Sequence, residues 1–182
     1  MPLPLLYVFA ELALCNPRYD GAKLEPSYQA PKASSHVAKD DGEGEVEVYE
    51  GCCHCGAVTY TLKTKPLNQA EVTFCNCSIC GRVCVPFLVA VIAILRFQNG
   101  DLWIYTNKDS VALHGEENIK SYLFGPKTQS HDFCGVCGVS VSEGLTKGSL
   151  AINARTLNGI DLADLKVKDF DGKALHGGQY GS

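Results

Sequence analysis

From Val46 onward, apolar and polar residues alternate over short runs separated by turn-forming residues. Val58, Tyr60 and Leu62 alternate with Thr59, Thr61 and Lys63, the period of two that a half-buried strand requires. Val72-Thr73-Phe74 predicts a short strand running straight into Cys75. Asp101-Leu102-Trp103-Ile104-Tyr105 predicts another, ahead of the turn-prone Asn107-Lys108-Asp109. Ser121-Tyr122-Leu123-Phe124 reads the same way before Gly125-Pro126, as do Val139 with Val141 and Leu150-Ala151-Ile152-Asn153. Asp161-Leu162-Ala163-Asp164-Leu165 predicts one short helix with Asp161 as N-cap. Short strands with turns between them imply a mainly β, β-rich α+β domain.

The first part of the chain breaks this pattern. Residues 1–44 pass from an apolar start into a polar stretch with Pro26, Pro31, Ser34 and Ser35, then into Asp40-Asp41-Gly42-Glu43-Gly44. This composition predicts a weakly ordered extension, followed by one domain over residues 45–182. Met1–Ala10 has no basic segment, and Glu11 interrupts it, so no secretory signal is expected. The longest uncharged run, Val83–Leu95, has 13 residues and contains Pro86, too short to cross a bilayer as a helix. A cytoplasmic protein with no membrane contact is the expectation.

Charge and composition narrow the function. Sixteen basic residues against twenty acidic ones give a net charge of −4, which disfavours neutralisation of phosphates, so no nucleic-acid partner is expected. A hydrophobic content of 46% with 20% charged residues excludes global disorder. The unusual feature is ten cysteines, most of them in three tight groups: Gly51-Cys52-Cys53-His54-Cys55-Gly56, Cys75-Asn76-Cys77-Ser78-Ile79-Cys80, and Phe133-Cys134-Gly135-Val136-Cys137-Gly138. Clustered C-x-C and C-x-x-C pairs suit metal coordination in a reducing compartment better than a disulfide framework.

Residues i and i+2 of an extended chain share a face, so Cys53 and Cys55 can reach one metal, and so can Cys75 and Cys77. The pair Cys53 and Cys55 with the knuckle Cys134 and Cys137 makes four thiolates, a closed structural zinc site. Cys75, Cys77 and Cys80 are three ligands, which leave a fourth position for water or substrate. Three thiolates give a zinc centre a net charge of −1, poor for making hydroxide and better suited to a substrate thiol. Two other readings of the triplet remain: a second structural zinc completed by Cys84, His54 or another ligand, and a Cys77/Cys80 redox pair. Cys52 and Cys15 read as packing residues and His54 as a rim residue. His36, His114, His131 and His176 have no partner pattern.

These three motifs, in this order over residues 46–176, resemble the glutathione-dependent formaldehyde-activating enzyme / centromere protein V family. Ile152-Asn153-Ala154-Arg155-Thr156-Leu157 with Asp161 and Leu162 is also similar to that family. The resemblance implies several short coiled β-sheets stapled by two zinc ions. One is structural, on Cys53, Cys55, Cys134 and Cys137. The other is catalytic, on Cys75, Cys77 and Cys80. It further implies a carbon–sulfur lyase activity that joins a small thiol such as glutathione to formaldehyde. The rival expectation is a non-catalytic, zinc-stapled protein-binding module.

The chain departs from the family at residues 83–98. Joining Arg82 to Asn99-Gly100 restores the family's short turn, and Val83-Cys84 and Phe97-Gln98 can be encoded by splice-donor and splice-acceptor sequences. The segment is therefore either a retained intron or a true apolar insertion beside the triplet. An uncharged run of this length beside a site exposes apolar surface unless it is buried. A chain lacking residues 83–98 is expected to be more soluble and to hold at least as much zinc. Poorer folding of the shortened chain contradicts this, and a main transcript that keeps the segment excludes the intron.

Overall fold

The computed structural model describes residues 28–32, 45–83, 100–123 and 127–175. The predicted extension, apart from residues 28–32, and the body of the 83–98 segment lie outside them, as does Phe124. The described chain is mainly β, as the alternation predicts. Strands β1 (Glu47–Cys52), β2 (Thr59–Thr64) and β5 (Val111–His114) form an antiparallel sheet in the order β1-β2-β5. The second sheet has seven strands: β3 (Glu71–Cys75), β4 (Leu102–Asn107), β6 (Ile119–Leu123), β7 (Ser130–Cys134), β8 (Ser140–Gly144), β9 (Ser149–Asn153) and β10 (Lys166–Phe170). Its order is β10-β3-β4-β9-β8-β7-β6, and only β10 with β3 is parallel. Single helical turns at Cys80–Val83 and Gly172–Leu175 complete the described elements that bear on the cysteines.

The helix expected over Asp161–Leu165 is a 3-10 turn, Leu162–Asp164. Its cap is the predicted one: the Asp161 carboxylate accepts from the Ala163 N–H at 2.9 Å. Leu165 is buried and Lys166 already starts β10, which leaves no room for a second turn.

The two faces of the large sheet carry different contents. Leu102 and Ile104 of β4, Ile152 of β9 and Val72 of β3 join Tyr60 and Leu62 of the small sheet in the main core. Trp103 alternates with them and lies on the opposite face, where it packs with Cys75, Cys77, Cys80 and Ala151. One strand thus supports the core and the middle cysteine group at once.

Tyr60 ties the small sheet to the large one. Its ring is fully buried, and its hydroxyl is 2.6 Å from Thr156 Oγ1, which itself donates to the Asn153 carbonyl at 2.7 Å. Burial raises the phenol pKa, so the group stays neutral. Tyr60→Phe keeps the ring and removes the bridge. The expected loss is about 1 kcal/mol of unfolding free energy, read by denaturant titration. An unchanged midpoint contradicts the bridging role.

Candidate metal centres

The first centre is built from two knuckles. Between β1 and β2 the chain turns at Cys53: the Cys53 N–H donates to the Val58 carbonyl at 2.9 Å, and the Gly56 N–H to the Cys53 carbonyl at 3.2 Å. Between β7 and β8 the pattern recurs, with Cys134 N–H to the Val139 carbonyl at 2.9 Å and Gly138 N–H to the Cys134 carbonyl at 2.7 Å. The ligand atoms of Cys53, Cys55, Cys134 and Cys137 all lie within 4.8 Å of one another. Cys53 and Cys55 sulfurs are 3.6 Å apart, and Cys55 and Cys134 sulfurs 3.8 Å. The Val58 N–H donates to the Cys53 sulfur at 3.3 Å, which favours its thiolate form.

Burial nevertheless pushes the metal-free Cys53 thiol up to about 12. At Cys137 burial also pushes upward, but N–H groups of Val139 and Cys55 and the thiols of Cys134 and Cys55 outweigh it and bring the group down to about 6. Four sulfurs this close, with these charges, fit one soft cation.

Asn118 was not singled out by the sequence, yet it braces both knuckles. Its side-chain amide donates to the Ala57 carbonyl at 3.1 Å, and its own carbonyl accepts from the Gly135 N–H at 2.7 Å. The preceding Gly115 has φ +76°, and a Cβ there would lie 1.9 Å from the Ala57 oxygen. Only glycine allows this approach.

The second centre lies at the end of β3. Thr73 pairs with Trp103, and Cys75 is two residues further on, so it projects to the Trp103 face. The loop after it brings Cys77 and Cys80 back, and the ligand atoms of Cys75, Cys77 and Cys80 all lie within 4.8 Å of one another. All three side chains are buried. The Cys77 N–H donates to the Cys75 sulfur at 3.4 Å and the Trp103 indole N–H to the Cys80 sulfur at 3.5 Å. Without a metal, hydrogen bonds from Cys75 and Cys80 hold Cys77 as the thiolate. Its acceptance of the Cys75 proton raises Cys75 to about 11, and contacts with Cys75 and Cys77 raise Cys80 as well. This donor set fits a thiophilic divalent ion.

The remaining predicted residues fall out as follows. Cys52 turns away from the first centre, and its thiol lies 3.5 Å from the Asn158 amide oxygen. His54 is an exposed rim residue stacked on Tyr28, ring centroids 4.5 Å apart. Arg82, next to the triplet, is exposed. Cys15, Cys84, His36 and His176 lie outside the described residues. Among the described residues the cysteines are free thiols.

His131 does have a partner. It pairs with Glu143 across β7 and β8, its Nε2 is 2.5 Å from the Glu143 carboxylate, and both lie beside Cys80 with ligand atoms mutually within 4.8 Å. Burial pushes the imidazole pKa down, but Glu143 outweighs it and leaves the group raised. A groove lined by Glu47, Tyr49, Leu67, Asp161 and Asp164 contains no member of either cysteine group, and it has no bearing on them.

No family model matches the chain, and no curated protein matches it. The crystal structure of a Rhodobacter sphaeroides protein, a structural genomics target, is similar with TM-score 0.49 and 24% identity over 63% of this chain and 93% of that one. No helix among the described residues is long and apolar enough to cross a membrane.

The two centres differ in what they hold together, and the difference is measurable. Cys134 and Cys137 meet Cys53 and Cys55 from a distant part of the chain, so a metal there is coupled to folding. Cys137→Ser is expected to give an insoluble or unfolded chain. Cys77→Ser is expected to lose one metal ion per chain and keep its fold, by metal analysis and circular dichroism. A folded, fully loaded Cys137→Ser protein contradicts the first assignment, and global unfolding of Cys77→Ser contradicts the second.

Proposed function

We propose that the protein is a zinc-dependent enzyme of carbon–sulfur bond chemistry, acting on a small thiol such as glutathione and an aldehyde such as formaldehyde. The observation that carries this reading is the inequality of the two cysteine groups. Among the described residues, one group has four thiols in mutual reach and the other has three. The resemblance of the three motifs to the formaldehyde-activating family supports the same assignment, including its coiled-sheet fold and two zinc ions.

Cys75, Cys77 and Cys80 would hold the catalytic zinc, and Cys53, Cys55, Cys134 and Cys137 the structural one. With zinc bound, these three cysteines would leave a coordination position that favours the thiolate form of an incoming thiol. The chain's own residues fix that position. Trp103 pins Cys80 through its indole N–H, and Asn76 anchors the loop by donating to Asp171 Oδ1 at 2.9 Å and accepting from the Lys173 N–H at 2.9 Å. In the net reaction the thiol sulfur bonds to the aldehyde carbon. The carbonyl π pair moves to oxygen, which gains a proton as sulfur loses one.

The test is the rate of hydroxymethyl thioether formation from glutathione and formaldehyde, above the uncatalysed rate, followed by NMR. The zinc-loaded full chain is expected to accelerate it. Cys77→Ser is expected to lower the rate on the order of 10²-fold or more while staying folded. A wild-type rate equal to background with both zinc ions bound overturns the proposal and favours the protein-binding module.

A further inference from the structure

The four cysteines of the first centre are unequally covered. Cys53 and Cys134 are fully buried, Cys137 is half-buried and Cys55 is exposed. A competing ligand for a metal ion held there enters where one cysteine can be reached and turned aside. On this centre that cysteine is Cys55, at the tip of the first knuckle.

The residues on either side of Cys55 are both gripped from outside by residues 28–32. The Tyr28 hydroxyl donates to the His54 carbonyl at 3.0 Å. Its ring stacks on the His54 ring, with centroids 4.5 Å apart and planes 12° apart. On the other side the Pro31 ring lies over Gly56: a Cβ at Gly56 would lie 2.8 Å from Pro31 Cγ and 2.9 Å from Pro31 Cβ. The absence of a side chain at position 56 is what lets the ring settle on the knuckle. The Pro31 carbonyl accepts from the Asn158 side-chain amide at 3.2 Å, and the Asn158 backbone N–H donates to the Glu50 carbonyl at 2.8 Å. Asn158 thereby ties the segment to β1, the strand that leads into the knuckle. Tyr28 is 53% exposed and Pro31 is half-buried, so neither is part of the core.

We propose that residues 28–32 clamp the first metal centre and set how fast its metal ion is lost to a competing ligand. This rests on the first centre holding a metal ion and is independent of the proposed reaction. With the clamp in place, the Cys55 sulfur cannot swing away from the Cys134 sulfur, 3.8 Å from it, unless the knuckle tip moves. Moving the tip breaks the Tyr28 hydrogen bond or lifts the Pro31 ring. Groups just outside a ligand set hold the ligands in orientation, and losing one costs a metal site roughly ten- to a hundredfold. A segment outside the core therefore governs the ion to which folding is coupled, and lifting that segment turns a retained ion into an exchangeable one.

The experiment loads the full chain with zinc, adds excess 4-(2-pyridylazo)resorcinol and follows the absorbance of the zinc–dye complex over time. A Cys77→Ser background isolates the ion of the first centre. In that background Tyr28→Ala combined with Pro31→Gly is expected to speed zinc release about tenfold. Tyr28→Phe, which keeps the stacked ring and removes the hydroxyl, is expected to speed it about threefold, and it decides the matter if the double variant does not fold. With Cys77 intact, one zinc ion is expected to leave about tenfold faster in the double variant and the other at its wild-type rate. This arm serves if Cys77→Ser does not fold. Unchanged release from the folded variants overturns the inference and leaves the first centre standing as a metal site. Equal acceleration of both ions also overturns it, because the effect is then a general loosening of the chain. A folded Cys77→Ser chain that binds no zinc refutes the first centre itself, and the inference falls with it.

Discussion

Seven cysteine side chains of this domain stand in two clusters whose sulfurs nearly touch, and most of them are buried. Burial opposes thiolate charge, while crowding leaves few partners for each sulfur except its neighbours. The conflict is visible at Cys53, whose thiol is pushed up to about 12, and at Cys77, which is held as a thiolate chiefly by the thiols beside it, with help from the Cys80 and Ile79 N–H groups. A divalent cation resolves both, because it favours every thiolate at once. The fold around the clusters is the arrangement that lets turns and strand ends far apart in sequence deliver sulfurs to the same two points.

Delivery works differently at the two points. At the first, two knuckles of similar hydrogen-bonding pattern face each other, and Asn118 locks their backbones together. The cluster therefore belongs to the main core and to the stability of the whole domain. At the second, the sulfurs sit on the other face of the seven-stranded sheet, in a small cluster with Trp103 and Ala151. Its cysteines pack in a cluster separate from the main core.

Much of this was legible in the sequence. The alternation around Tyr60 and the runs ending at Cys75 and Asn153 follow from side-chain period alone, and the two cysteine sets follow from spacing. Three features were not legible. β10 adds to β3 in parallel, and no local signal announces that pairing. Asn118 acts through its backbone and amide at the end of a 3-10 turn, where its type carries little information. His131 and Glu143 meet only through the register of the β7–β8 hairpin, which includes an irregularity between Asp132 and Phe133. Folding the flanking strands back about the Cys134–Cys137 knuckle would have placed them opposite each other, apart from that one irregularity. Hairpin register was the signal that a search for spaced motifs could not use.

The central claim is that one cysteine group is a closed metal site and the other an open one. Zinc-edge X-ray absorption on the full chain, with and without a small thiol, tests it most directly. The account predicts two zinc ions per chain, a shell of sulfur with a minor contribution from a lighter atom, and replacement of that lighter atom by sulfur when thiol is added. An all-sulfur shell that thiol does not change, or a single bound zinc ion, would contradict it.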